Sequence, residues 1–186
     1  RLHRLYSKNK KGWFPWIFDQ LNLKDGMKVL EIGCGNGMLW EENDYQIPRK
    51  IMINLTDVSE GMLRDARRNV GSEDKRFKFE IVDAENIPYE AETFDAVIAN
   101  HILFYCENLK KTCSEIARVL KKTGMFVCST YGENHMKEVN DLVRGFDNRI
   151  VLSADKLYEK FGKENGEKYM IKIAIVEDEA MYAKQL

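Results

Sequence analysis

Four side chains able to do chemistry stand at the ends of apolar runs: Glu31 in Val29-Leu30-Glu31-Ile32, Asp57 after Asn54-Leu55-Thr56, Asp83 after Val82, and His101 after Ala96-Val97-Ile98-Ala99-Asn100. Behind the first lies Gly33-Cys34-Gly35-Asn36-Gly37, a turn rich enough in glycine for a ligand to lie against its backbone. A carboxylate can accept both hydroxyl hydrogens of a ribose, and amides left free where a helix begins attract negative charge. An imidazole, with an ordinary pKa of about 6.5, is the side chain here that can take a proton near neutral pH. A strand ending in an acid, a glycine turn and a helix form the layout that a nucleotide-shaped ligand needs at a sheet edge, so an adenosine-bearing compound is expected there.

Strands and helices in alternation must hold these residues. Apolar β-compatible runs fall at 27–32, 51–55, 77–82, 94–99 and 125–129, and continuous runs of this kind mean burial on both faces. Ser59 is placed to cap a helix carrying Met62, Leu63, Ala66 and Val70. Leu109, Cys113, Ile116, Ala117 and Leu120 make the apolar face of another, expected to end at Gly124 with Lys121 and Lys122 beside its negative end. The order predicts an α/β fold: a Rossmann-like, doubly wound, mostly parallel sheet in a three-layer α/β/α arrangement. Helices are expected over 134–146 and 154–161 and a sixth strand over 171–177. With the chain stopping at Leu186, the sheet is expected to have an incomplete C-terminal edge, and an unpaired edge favours dimer formation or instability.

At 186 residues the chain suits a single domain, with residues 1–22 as a lead-in or lid and 23–186 as the ligand-binding body. The lead-in is basic (Arg1, Arg4, Lys8, Lys10, Lys11) and then aromatic (Trp13, Phe14, Trp16, Phe18), which suits either a cover for the site or a solvated strip followed by a helix packed on the sheet. A hydrophobic content of 44%, a charged content of 32% and a net charge of -1 describe an ordinary soluble protein without the basic excess that a nucleic-acid partner requires. Cys34, Cys106, Cys113 and Cys128 form no C-x-x-C pair and no metal-ligand spacing with the histidines, so they read as reduced thiols of a cytoplasmic protein without a metal. No apolar run approaches the roughly 20 residues of a membrane helix.

Glycine spacing separates two kinds of site. Nicotinamide and flavin binders use G-x-G-x-x-G, whereas Glu31, Gly33, Gly35 and Gly37 give E-x-G-x-G-x-G, which resembles motif I of the class I S-adenosylmethionine-dependent methyltransferases. Asp57 at the end of the second strand suits either cofactor. Val82-Asp83-Ala84-Glu85-Asn86-Ile87-Pro88, then Thr93-Phe94-Asp95-Ala96-Val97-Ile98-Ala99-Asn100-His101, then the stretch from Ser114 to Gly124 resemble that family's later motifs in the same order. The resemblance spans about residues 13–131, and Leu2-His3-Arg4-Leu5-Tyr6-Ser7 is similar to the lead-in of type 11-like bacterial small-molecule methyltransferases.

The resemblance implies S-adenosylmethionine as methyl donor, S-adenosylhomocysteine as product and a small-molecule acceptor. It implies Glu31 at the methionine ammonium, the Gly33, Cys34, Gly35 and Gly37 backbone along the ligand, and Asp57 at the ribose, with Val58 and Met62 beside it. It further implies Asp83 at the adenine amino group with Ala84 and Glu85 adjoining. Apart from the resemblance, their place after the fourth strand puts Asn100 and His101 in the reaction chamber, with His101 as catalytic base by its pKa, and Tyr6 suits a cover for the donor. The residues leave other readings open: Asp83 as a turn former, Met62 in the core, His101 as a hydrogen-bonded pocket residue, and the whole chain as a non-catalytic or sensing S-adenosylmethionine-binding module. Monomer and homodimer are both compatible with the sequence, and neither the lead-in nor the stretch after strand five identifies the acceptor.

Overall fold

The computed structural model describes residues 9–131, 170–176 and 181–185, with side chains over 9–130. The apolar runs become β1 (Lys28–Ile32), β2 (Met52–Asp57), β3 (Phe77–Ile81), β4 (Phe94–Asn100), β5 (Leu120–Tyr131), β6 (Met170–Val176) and β7 (Met181–Gln185). They form one sheet in the order β3-β2-β1-β4-β5-β6-β7. Neighbours from β3 across to β6 are parallel, and β7 runs antiparallel to β6. The C-terminal edge is therefore finished, which corrects the expectation of an incomplete one. Met181–Gln185 is only five residues long, and an antiparallel edge strand needs little more than a backbone ladder along its neighbour, here from Lys172↔Gln185 to Val176↔Met181.

The central position of β1 and β4 follows from their composition: Val29, Leu30 and Ile32, and Ala96 to Ala99, are buried because both faces of these strands are covered. On one face, Val29, Ile53, Leu55, Ile98 and Val127 meet α1 (Trp13–Leu21), α2 (Met38–Glu41) and α3 (Glu60–Val70). On the other, Leu30, Ile32, Val97 and Phe126 meet α4 (Leu109–Val119). Truncating a fully buried large side chain such as Trp40 or Phe126 to alanine would cost about 3–5 kcal/mol. α1 enters this packing through Ile17, Phe18 and Leu21.

Ser59 caps α3 as its sequence suggests, its Oγ accepting from the Met62 amide at 3.3 Å. The end of α4 differs from expectation. The helix stops at Val119, Leu120 is already extended and opposite Phe94, and Gly124 lies within β5. The ladder then advances from Phe94 to Ala96 on one strand but from Leu120 to Met125 on the other, so the Lys121 to Gly124 stretch bulges. Lys121 pairs with Asp95 at 2.7 Å instead of serving the helix terminus, and a Cβ on Gly124 would lie 2.8 Å from the Lys121 carbonyl oxygen. The helices expected over 134–146 and 154–161, and Tyr6, lie outside the described residues.

Candidate active site

β1 is flanked by β2 on one side and β4 on the other, so the chain reverses its winding between β1 and β4. In an open α/β sheet that reversal leaves a crevice beyond the carboxyl ends of the strands. The register brings those ends level: Ile32 lies opposite Thr56 and Ala99, Asp57 opposite Ile81, and Asn100 opposite Ser129. Glu31, the glycine turn, Asp57, Asp83 and His101 therefore share one edge of the sheet.

Gly33, Gly35 and Gly37 all have left-handed φ, at 68°, 55° and 77°, and differ in what surrounds them. A Cβ on Gly33 would overlap Ile102 Cγ2 and lie 3.1 Å from Ile102 Cβ, so the segment after β4 presses directly on this backbone. At Gly37 a Cβ would come within 2.9 Å of Val70 and 3.3 Å of Ala66, which lets α3 approach the turn closely. Gly35 has a left-handed φ of 55° and open space where a Cβ would stand, a stretch of bare backbone against which a ligand can rest. The helix opened by this turn, α2, is four residues long, and the amides of Cys34, Gly35 and Gly37 already donate to the Thr56 carbonyl, Asp57 and the Cys34 carbonyl, so the site's polarity comes from its carboxylates. The Cys34 side chain is buried, and burial beside Glu31 and Asp57 pushes its thiol up, leaving its backbone to face a ligand.

Asp57 joins the turn to the second strand. Its Oδ2 accepts from the Gly35 amide at 3.0 Å and its Oδ1 from the Ser59 amide at 2.8 Å. Each carboxylate oxygen retains a lone pair, so a ribose diol can still be received. Val58 and Met62 beside it are 71% and 46% exposed, an uncovered apolar surface, and the exposure of Met62 sets aside its reading as a core residue.

Glu31 is buried and receives the Trp40 indole N–H on Oε2 at 2.5 Å. Loss of hydration, opposed by that hydrogen bond and reinforced by the charge of Asp57, pushes its carboxyl up to about 8. Trp40 carries no signal in a motif reading; only its place in α2, one turn beyond the glycines, could have suggested it.

Asp83 forms the turn that the sequence allowed. Its Oδ1 accepts from the Glu85 amide and its Oδ2 from Asn86 Nδ2, both at 2.9 Å, and these bonds hold the carboxyl below the usual range and hence charged. Ala84 is buried next to it. The carboxylate of Glu85 is engaged by the Asn108 amide at 2.7 Å, at the start of α4. α4 holds the same loop further on: Glu115 Oε2 accepts from the Ile87 amide at 2.9 Å, and Arg118 donates to the carbonyls of Ile87 and Tyr89 at 2.8 and 2.6 Å.

Beyond β4, Ser129 of β5 holds two residues at once. Its Oγ donates to Asn100 Oδ1 and accepts from the His101 amide at 2.9 Å. His101 has φ 56°, a conformation rare for a residue with a Cβ, and its ring lies 4.9 Å from that of Trp13 and 6.5 Å from that of Phe104. Ser129 was invisible to motif reasoning and becomes legible only through the register that sets it beside Asn100.

Acceptors, bare backbone and exposed apolar surface thus lie along one edge, and their chemistry fits an ammonium-bearing adenosyl group. Residues 30–128, more than half of the chain, match the family described as "Methyltransferase domain". The demethylmenaquinone methyltransferase of Symbiobacterium thermophilum is 30% identical over 118 residues, covering 62% of this chain and 47% of that protein. The biotin biosynthesis bifunctional protein BioHC of Saccharophagus degradans is 31% identical over 126 residues, covering 68% of this chain and 21% of that protein. The chain therefore spans less than half the length of either curated relative. A SAM-dependent methyltransferase from Aquifex aeolicus superposes with a TM-score of 0.60 at 20% identity, over 78% of this chain and 82% of that one.

Proposed function

The chain belongs to the class I S-adenosylmethionine-dependent methyltransferases, and on that premise we propose that it transfers a methyl group from S-adenosylmethionine to a small-molecule acceptor in the bacterial cytoplasm. The observation that carries this reading is the bond from the Gly35 amide to Asp57 Oδ2, with open space above Gly35. It joins the ribose acceptor and the bare backbone into one binding surface. A net charge of -1 supports a small acceptor over a nucleic acid.

When bound, the cofactor supplies a methyl group on a sulfonium, a good leaving group for in-line displacement. Alignment and exclusion of water are then the protein's main contributions. Asp57 receives the ribose hydroxyls and Glu31 the ammonium. Val58, Met62 and Ala84 give the adenine an apolar bed, and Asp83 accepts from its amino group. Asn100 lines the acceptor chamber. Nδ1 of His101 is buried, which leaves Nε2 to take the proton that the acceptor loses as its new bond to carbon forms. Trp13, its ring tilted against that of His101, supports reading residues 1–22 as cover for this chamber.

Calorimetric titration of S-adenosylmethionine and S-adenosylhomocysteine into the wild type and Asp57→Ala tests the reading. Saturable binding lost in the variant is the expected result; no binding to the wild type overturns it.

A further inference from the structure

We propose that Trp40 is a positioning residue for Glu31: its indole N–H holds one carboxylate oxygen so that the other is presented to the ammonium group of the methyl donor. This rests on the reading of the site given above. Trp40 is fully buried, and its indole is set edge-on to Phe18 of α1 at 6.2 Å and 83° and to Phe77 of β3 at 5.9 Å and 70°. A ring confined from two layers cannot turn its N–H away, so the bond to Glu31 Oε2 is fixed in direction. It does not involve Oε1.

Glu31 needs such a donor because the residues beside it in the ladder, Leu55 on β2 and Ile98 on β4, are apolar. The titratable groups that act on it are Asp57 from β2, whose charge opposes ionisation, and the Cys34 thiol in the turn, itself held protonated. Without a cation nearby, Glu31 keeps its proton up to about 8. Arrival of an ammonium group at Oε1 reverses the balance: the carboxyl gives its proton to the buffer, the carboxylate pairs with the cation, and Trp40 stabilises the charge on the opposite oxygen.

Two probes separate this from packing. S-adenosylhomocysteine carries the ammonium, whereas 5′-methylthioadenosine keeps the adenosine and lacks it. In the wild type, affinity for the first should rise about tenfold or more from pH 6 to pH 8, with proton release to the buffer, while affinity for the second stays flat. Trp40→Phe keeps an aromatic ring and removes the donor. It should weaken S-adenosylhomocysteine about tenfold or more, move its pH dependence upward, and leave methylthioadenosine within about twofold. Equal losses for both ligands, or no loss for either, overturn the proposal.

Should Trp40→Phe fail to fold, the wild type still decides. The Trp40 indole N–H resonance, assigned with Trp13→Phe and Trp16→Phe, should shift with S-adenosylhomocysteine and stay unmoved by methylthioadenosine; identical responses overturn the inference. A wild type that binds methylthioadenosine but shows no pH-linked gain for S-adenosylhomocysteine sinks the pairing of Glu31 with the ammonium and with it the role of Trp40, while the adenosine-binding reading stands. A wild type that binds neither ligand brings down the methyltransferase reading as well.

Discussion

The Gly35 amide and the Asp57 carboxylate meet at 3.0 Å across 22 positions of sequence, tying the turn after β1 to the end of β2. Because the other oxygen of Asp57 holds Ser59, the same side chain also fixes the start of α3. Asp57→Asn has one oxygen for two amides. It should lose about 1–3 kcal/mol of stability, measured by urea unfolding, and bind S-adenosylhomocysteine at least tenfold more weakly.

At Gly33 both the left-handed φ of 68° and the lack of space disfavour a side chain. Gly33→Ala drives a methyl group into Ile102, so the variant should be destabilised by about 2 kcal/mol or more, and Ile102→Ala should recover part of that loss in the double variant. Thermal melts of the two single variants and the double variant form a complete cycle. Additive losses would disprove the contact.

Ligand-free stability should fall with rising pH because of Glu31. The unfolded chain gives up this proton near 4.5, whereas the fold retains it to about 8. Between those values the unfolded state binds fewer protons, so each pH unit costs the fold on the order of 1 kcal/mol, and the loss levels off above about 8. Glu31→Gln should change little at pH 5 and raise the melting temperature at pH 8. Melts across that range check the sign.

Removal of the His101 imidazole tests its role as base. His101→Asn should lower kcat by about 100-fold or more with any acceptor whose proton must leave, while S-adenosylhomocysteine affinity stays near that of the wild type. Unchanged turnover would leave His101 as a wall of the chamber.

The loop carrying Asp83 depends on α4. Arg118→Ala strips two carbonyls of their donor and frees Glu115, so stability should fall by about 1–3 kcal/mol, and the amides of residues 85–89 should exchange faster. Equal protection in the variant would show that the turn formed by Asp83 stands without help.

Much of the edge was legible because its signals are local. Strand, acid, glycine turn and capped helix each announce themselves within a few residues, which is why β1, β2, Asp57 and Ser59 fall where the sequence puts them. What escaped is set by partners far along the chain. Trp40 matters through Phe18 and Phe77, Ser129 through its register with Asn100, and Arg118 through the carbonyls of Ile87 and Tyr89. β7 escaped for another reason: an antiparallel edge ladder makes so little demand on side-chain type that five mixed residues satisfy it.

The Ile102 side chain, seated on Gly33, brings the segment after β4 against the turn after β1. The two turns therefore meet at a glycine that leaves no room for a side chain, and any residue larger than glycine there would have to push them apart.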